Sequence, residues 1–127
     1  MSDMGTFRVD LEIENPLRPA ERAVVRSALV ATGSELSWFP AAVLESLGIE
    51  RSEVSSFRQA GGAVIERWVG HAFVYLAGAR TVDDVVFAEP GDLTLLGARS
   101  LEGLNLTIDP ISKRLVDAGP APAAAIA

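Results

Sequence analysis

The chain has 127 residues, no cysteine, a net charge of -6 and a sequence pI near 4.7. That length suits one domain with a modest core, and the missing thiols exclude disulfides, thiolate metal sites and cysteine nucleophiles. No basic run exists to neutralise phosphates or anionic lipid headgroups, so neither nucleic acid nor a charged membrane surface is an expected partner.

Hydrophobic residues make up 49% and charged residues 22% of the chain, a globular rather than a disordered balance. Met1 to Gly5 carries neither a basic nor an apolar leader region, and the longest apolar stretch, Ala72 to Ala79, is too short to span a bilayer. A soluble, cytoplasmic protein is the expectation.

Phe7 to Glu14 alternates apolar and charged residues, the period of a half-buried strand. Asn15 to Glu21 is turn material, and Ala23 to Val30 reads as a second strand, hairpinned to the first and buried on both faces at its end. There follows a small-residue corner, Thr32-Gly33-Ser34. Thr32 can turn its hydroxyl inward, and Gly33 would admit a close backbone approach. The geometry suits presenting Ala31 at the floor of a cleft. Pro40 to Leu47 reads as a short helix with Pro40 in its first turn, Gly48 at its end and Ile49 folding back.

Val54 to Phe57 and Ala63 to Val69 flank Gln59-Ala60-Gly61-Gly62 and predict a hairpin. Gly70 to Leu76 reads as a further strand, Gly78 to Arg80 as a turn, and Val82 to Ala88 as a strand opening on Asp83 and Asp84. Glu89 to Asp92 is a turn. Leu93 to Leu96 is a buried strand ending at Gly97. Ala98 begins a short helix that Gly103 stops. Leu104 to Asp109 and Arg114 to Val116 form a last pair of strands. A faint echo links Leu44-Glu45-Ser46-Leu47 to Leu101-Glu102-Gly103-Leu104, each after a Gly corner. The domain is expected to span 1–116, and the Ala- and Pro-rich segment 117–127 to form a tail, free or docked in a neighbour's cleft.

Leu29-Val30-Ala31-Thr32-Gly33-Ser34 resembles the active-site motif of aspartic proteases, in which Asp-Thr-Gly-Ser or Asp-Thr-Gly-Ala follows apolar residues. Leu95-Leu96-Gly97 resembles that family's second signature. One such half per short chain is the pattern of the retroviral-type, single-domain members, the retropepsins, and the resemblance runs from about Phe7 to Val116. It departs at the catalytic position, where Ala31 stands in place of Asp. The resemblance implies an all-β fold: a small closed barrel-like acid-protease lobe with one or two short helices, paired as a homodimer with each subunit giving one corner.

The chemistry would be endopeptidase action on an extended peptide by two facing carboxylates that share one proton and activate one water, with no cofactor and no metal. With Ala31 in both subunits this chain is expected to be inactive. It would be either an engineered knockout of an active parent or a natural pseudoprotease that binds or scaffolds peptides. The resemblance further implies that Thr32 locks the two corners, and that Gly33, Ser34 and Glu35 contact substrate. It makes Ala60, Gly61 and Gly62 the tip of a flap closing over the peptide. Arg99 is a candidate partner for an acid near the corner. Val30, Leu36, Trp38, Val86 and Leu96 are candidates for pocket walls or for core. His71 reads as structural or exposed. Asp83, Asp84, Glu89 and Asp92 read as a solvated face rather than a metal site.

Overall fold

The structure, a computed structural model, describes residues 7–120. It is mostly β, with 54% of residues in strands, a closed six-stranded barrel and two short helices. In chain order the elements are β1 (Arg8–Glu14), β2 (Arg22–Ala31), β3 (Ser37–Pro40), α1 (Ala41–Ser46), β4 (Glu53–Arg58), β5 (Val64–Leu76), β6 (Ala79–Ala88), β7 (Leu95–Gly97), α2 (Ala98–Gly103), β8 (Leu106–Asp109) and β9 (Arg114–Asp117). Neighbouring strands run β1-β2-β7-β3-β6-β5, and β5 pairs back to β1 through Glu12 to Glu14, closing the barrel. Strand β4 sits outside the ring on β5, and β8 and β9 form a separate two-stranded sheet.

The alternation expected in β1 places Leu11 and Ile13 in the core, where they meet Val25, Ala28, Val30, Phe39, Val74, Val85, Phe87 and Leu96. Apolar burial of this kind supplies the dominant stabilisation of a domain this size. Strand β2 does not alternate cleanly. Val25 is buried, then Arg26 and Ser27 are exposed, then Ala28 and Val30 are buried again. The cause is a β-bulge: Val9 pairs with Ala28 and Leu11 with Val25, leaving two residues of β2 opposite Asp10. Ser27 takes a left-handed φ of 54°, and the Asp10 carboxylate accepts its backbone N–H at 2.8 Å. The bulge reverses the inside–outside parity of everything after it, including Ala31.

Helix α1 follows a β-region N-cap at Pro40, which therefore precedes the first turn rather than joining it. Its end closes as anticipated. Gly48, at φ 71°, donates to the Glu45 carbonyl and Ile49 donates to that of Leu44, and Ile49 is buried. Helix α2 repeats the design: Leu101 is buried, Leu104 is the C-cap, and Asn105 takes the left-handed position at φ 57°. Gly103 lies inside α2 instead of stopping it. Its missing side chain serves contact, since a Cβ there would stand 2.0 Å from the Thr81 hydroxyl oxygen.

Four other expectations change. Ser37 to Pro40 forms a short parallel strand on β6, which the chain pattern did not suggest. The two segments 63–69 and 70–76 are one continuous strand, β5. The turn between β5 and β6 is Ala77-Gly78, both left-handed, so β6 begins earlier and Asp83 and Asp84 fall mid-strand. Strand β9 takes in Asp117, where the tail was expected to begin, and the Ala118 N–H reaches the Asn105 carbonyl. The docking expected of the tail concerns a segment of which 121–127 lie outside the described residues. No described helix is long and apolar enough to cross a membrane.

Candidate functional site

The corner that ends β2 is held from several sides. Strand β7 lies between β2 and β3, the two strands that the corner joins, running parallel to β2 and antiparallel to β3. The register sets Leu29 against Leu95, Val30 against Leu96 and Ala31 against Gly97. Ser34 donates its N–H to the Ala31 carbonyl and its hydroxyl to that of Leu36, at 3.1 and 2.7 Å. The first amides of α2 return to the corner: Ala98 donates to Ser34 and Arg99 to Glu35, at 2.8 and 3.0 Å. Gly97 must be glycine for space, because a Cβ would lie 2.4 Å from the Leu36 carbonyl oxygen. The close backbone approach anticipated at Gly33 belongs instead to Gly97; a Cβ on Gly33 would meet nothing within 4 Å. Thr32 and Gly33 are exposed at the tip of the corner, and Ala31 is half-buried.

Across from the corner stands the β4–β5 hairpin. Its strands pair from Glu53–Val69 to Arg58–Val64, and its turn is closed by Gln59 donating to Ala63 and Gly62 donating to Gln59. Between corner and hairpin opens a cleft of about 560 Å³. Ala31, Gly33, Ser34 and Glu35 line one side, and Phe57, Arg58, Gln59 and Ala60 the other. Trp38 and Leu95 form the base, with Asp92 and Leu93 on the far wall. The Trp38 and Phe57 rings meet edge to face with centroids 5.0 Å apart, linking base to hairpin. Thr32, Gly61 and Gly62 are not among the lining residues. Of the apolar candidates, Trp38 lines the cleft, whereas Val30, Val86 and Leu96 are buried core. A larger groove, about 670 Å³, opens along the β1–β5 seam among Asp10, Glu12, Arg22 and Arg80. There Arg22 pairs with Glu12 and covers the Tyr75 ring, and nothing ties that groove to the corner.

The acids read as a solvated face divide. Asp92 is largely enclosed, and Arg67 grips it with Nε to Oδ2 at 2.7 Å and Nη2 to Oδ1 at 3.0 Å. Its Oδ2 also accepts the Glu89 N–H. The Arg67 hydrogen bonds hold the Asp92 carboxyl below its ordinary range, against the opposing effect of burial. Asp83 is buried, and that burial pushes its carboxyl up despite hydrogen bonds from Ser100 and the Asp84 amide and the nearby Arg99 charge. Both positions correct the solvated-face reading; Asp84 is half-exposed and Glu89 exposed.

Arg99 stands where an acid of the corner can reach it: Nη1 is 3.8 Å from the Glu35 carboxylate, Nε 3.6 Å from Asp83 and Nη2 3.6 Å from Asp84. His71 is exposed, with Nε2 at 3.0 Å from Asp84. Among the described residues, no group of three or more His, Asp or Glu is placed to hold a metal ion.

Sequence reasoning overlooked Ser37 and Ser100. Both are fully buried, and their hydroxyl oxygens lie 2.7 Å apart although the residues are 63 positions apart in the chain. The available signal was a serine a few residues after each Gly corner, Ser37 after Gly33 and Ser100 after Gly97. No family model matches the chain, and no curated protein matches it.

Proposed function

We propose that this chain is one half of a retropepsin-like, homodimeric aspartic endopeptidase, with Ala31 in the position of the catalytic carboxylate. In this reading two subunits bring their corners together about a twofold axis, Thr32 locks them, and an extended peptide lies between corner and hairpin. The chain as written binds peptide and does not cut it. The supporting observation is that the two resembling segments lie abreast, Val30 against Leu96 and Ala31 against Gly97, under the hairpin that would serve as flap.

The mechanism needs an acid on each corner. Two carboxylates in contact cannot both ionise, so they hold one proton between them. The ionised partner takes a proton from water as that water attacks the scissile carbonyl, and the protonated partner donates to the carbonyl oxygen. A methyl group at both positions removes base and acid together. Glu35 does not replace them: its carboxylate is largely exposed and faces Arg99. Hairpin backbone groups at Ala60 to Gly62 would pair with the peptide as an added strand.

A second reading, a natural peptide-binding homodimer without chemistry, draws support from the hydrogen bonds of the corner. Those that join Ala31, Ser34, Leu36 and Ala98 use no carboxylate at position 31. The Ala31→Asp variant separates the two. Assayed on unstructured peptides at about pH 4 to 6, where one carboxylate of such a pair is protonated, it should cut where the chain as written does not. A folded, dimeric Ala31→Asp protein that cuts nothing would overturn the peptidase reading.

A further inference from the structure

Behind the cleft floor lies a polar chain that the peptidase reading does not use. The Gly97 N–H donates to the Ser37 hydroxyl oxygen at 2.9 Å. The Ser37 and Ser100 oxygens are 2.7 Å apart, and Ser100 donates to Asp83 Oδ2 at 3.1 Å. Each hydroxyl has a single proton, so the direction of the chain is set by its ends. An amide can only donate and an ionised carboxylate can only accept. The Ser37 proton must therefore go to Ser100, and the Ser100 proton to Asp83. Ser37 and Ser100 are fully buried, and no buried side-chain polar atom among the described residues lacks a partner. The three residues come from β3, α2 and β6, and the chain terminates on the residue paired with Ala31.

We infer that Ser37, Ser100 and Asp83 are positioning residues of the half-site: their directed hydrogen-bond relay fixes the Gly97 amide, and through the Ala31–Gly97 register it sets where residue 31 stands. This deepens the endopeptidase reading and rests on it for its catalytic consequence. The relay's hold on Gly97 is a property of the chain itself and can be read without activity. A protonated carboxyl or an amide at position 83 still offers an acceptor oxygen, so the relay depends on hydrogen-bond geometry rather than on the Asp83 charge.

The test has two arms. Amide hydrogen exchange on the chain as written compares Ser37→Ala, Ser100→Ala, Asp83→Ala and Asp83→Asn. The relay predicts that exchange at Gly97 rises by about tenfold or more in the three alanine variants, as expected when a buried amide loses its acceptor or that acceptor loses its support. Asp83→Asn should stay within about threefold of the parent at Gly97, because its side-chain oxygen still accepts. Core amides of Val74 and Phe87 should keep their protection in every variant.

The second arm places the same substitutions on Ala31→Asp and measures peptide cleavage. Ser37→Ala should lower kcat by about tenfold while KM changes by less than about twofold, the signature of a misplaced reacting group rather than lost binding. Unchanged Gly97 exchange in Ser37→Ala and Ser100→Ala would overturn the relay, whatever the activity. Unchanged kcat in an active Ala31→Asp background would overturn its positioning role. An inactive Ala31→Asp dimer that nevertheless shows the Gly97 exchange pattern would overturn the endopeptidase reading while supporting the relay.

Discussion

Beneath the cleft, β2, β7 and β3 are joined by buried hydroxyls and backbone amides, whereas the hairpin above it is tied to the far wall by an ion pair between Arg67 and Asp92. The floor belongs to the closed ring of strands, flanked on both sides by paired neighbours. The hairpin uses β4, which pairs only with β5 and leaves its other edge open. The hairpin's free strand therefore has fewer partners than the floor: beyond β5, it meets the rest of the cleft through the Trp38–Phe57 contact, with the Arg67–Asp92 pair as the hairpin's charged tether. The peptide cleft proposed above would use that difference, with a firmly held floor to place one side chain and a less constrained hairpin to admit a long ligand.

The floor should break hardest. Gly97→Ala sets a Cβ against the Leu36 carbonyl oxygen, a backbone atom with no rotamer to move. We expect a loss of about 3 kcal/mol in denaturant unfolding, at the upper end of overpacking effects. Full retention of stability would mean that the three-strand floor gives more readily than its packing indicates.

The tether should break next. Arg67→Ala strands the Asp92 carboxylate in a largely enclosed place, and unfolding should cost about 2 kcal/mol less than in the parent. The sharper prediction is local. Exchange at Phe57 and Ile65 should accelerate, while Val30 and Leu96 in the floor keep their protection. Equal acceleration in both regions would mean that the floor and the hairpin are held together as one unit.

The smallest effects are those of pH, and they run in opposite directions at the two ends. The Asp92 carboxyl is held low by Arg67, so its contribution is present above about pH 3.9, the ordinary aspartate value, and is lost as pH falls through its lowered folded value. Asp92→Asn should therefore be most damaging near neutrality and progressively harmless in acid. Asp83 is pushed up by burial, so the folded state is favoured below about pH 3.9 and loses that advantage as pH rises through the raised value. Asp83→Asn should gain stability relative to the parent across that rise. Thermal unfolding of the two variants between acid and neutral pH reads both slopes; slopes of the same sign would contradict the assignment.

Much of this architecture was legible locally. The alternation of Val9, Leu11 and Ile13 marked β1, the Gly61-Gly62 pair marked the hairpin turn, and Gly48 with Ile49 marked how α1 closes. Each is a short-range signal carried by backbone preference or by period. What was not legible depends on contacts between distant segments. The bulge at Ser27 needs Asp10 from another strand to accept its amide. Strand β3 is short and ends on a proline, so only its pairing with β6 and β7, both distant in the chain, makes it a strand.

In β6 the usual pattern is inverted: Val82 is exposed and Asp83 buried. No rule of apolar burial predicts that, because the reason is Ser100, brought in by α2. The cleft followed the same division. Ala31, Glu35 and Ala60 were identified from the resemblance and do line it, while Thr32, Gly61 and Gly62 are not among its lining residues.

The central claim is that each chain carries half of a two-carboxylate site. Mixing the Ala31→Asp protein with increasing amounts of the chain as written, at constant total concentration, tests it directly. If pairs form at random and only pairs with two acids cut, cleavage should fall with the square of the Asp-bearing fraction. A linear fall would mean that one chain suffices, and it would contradict the account.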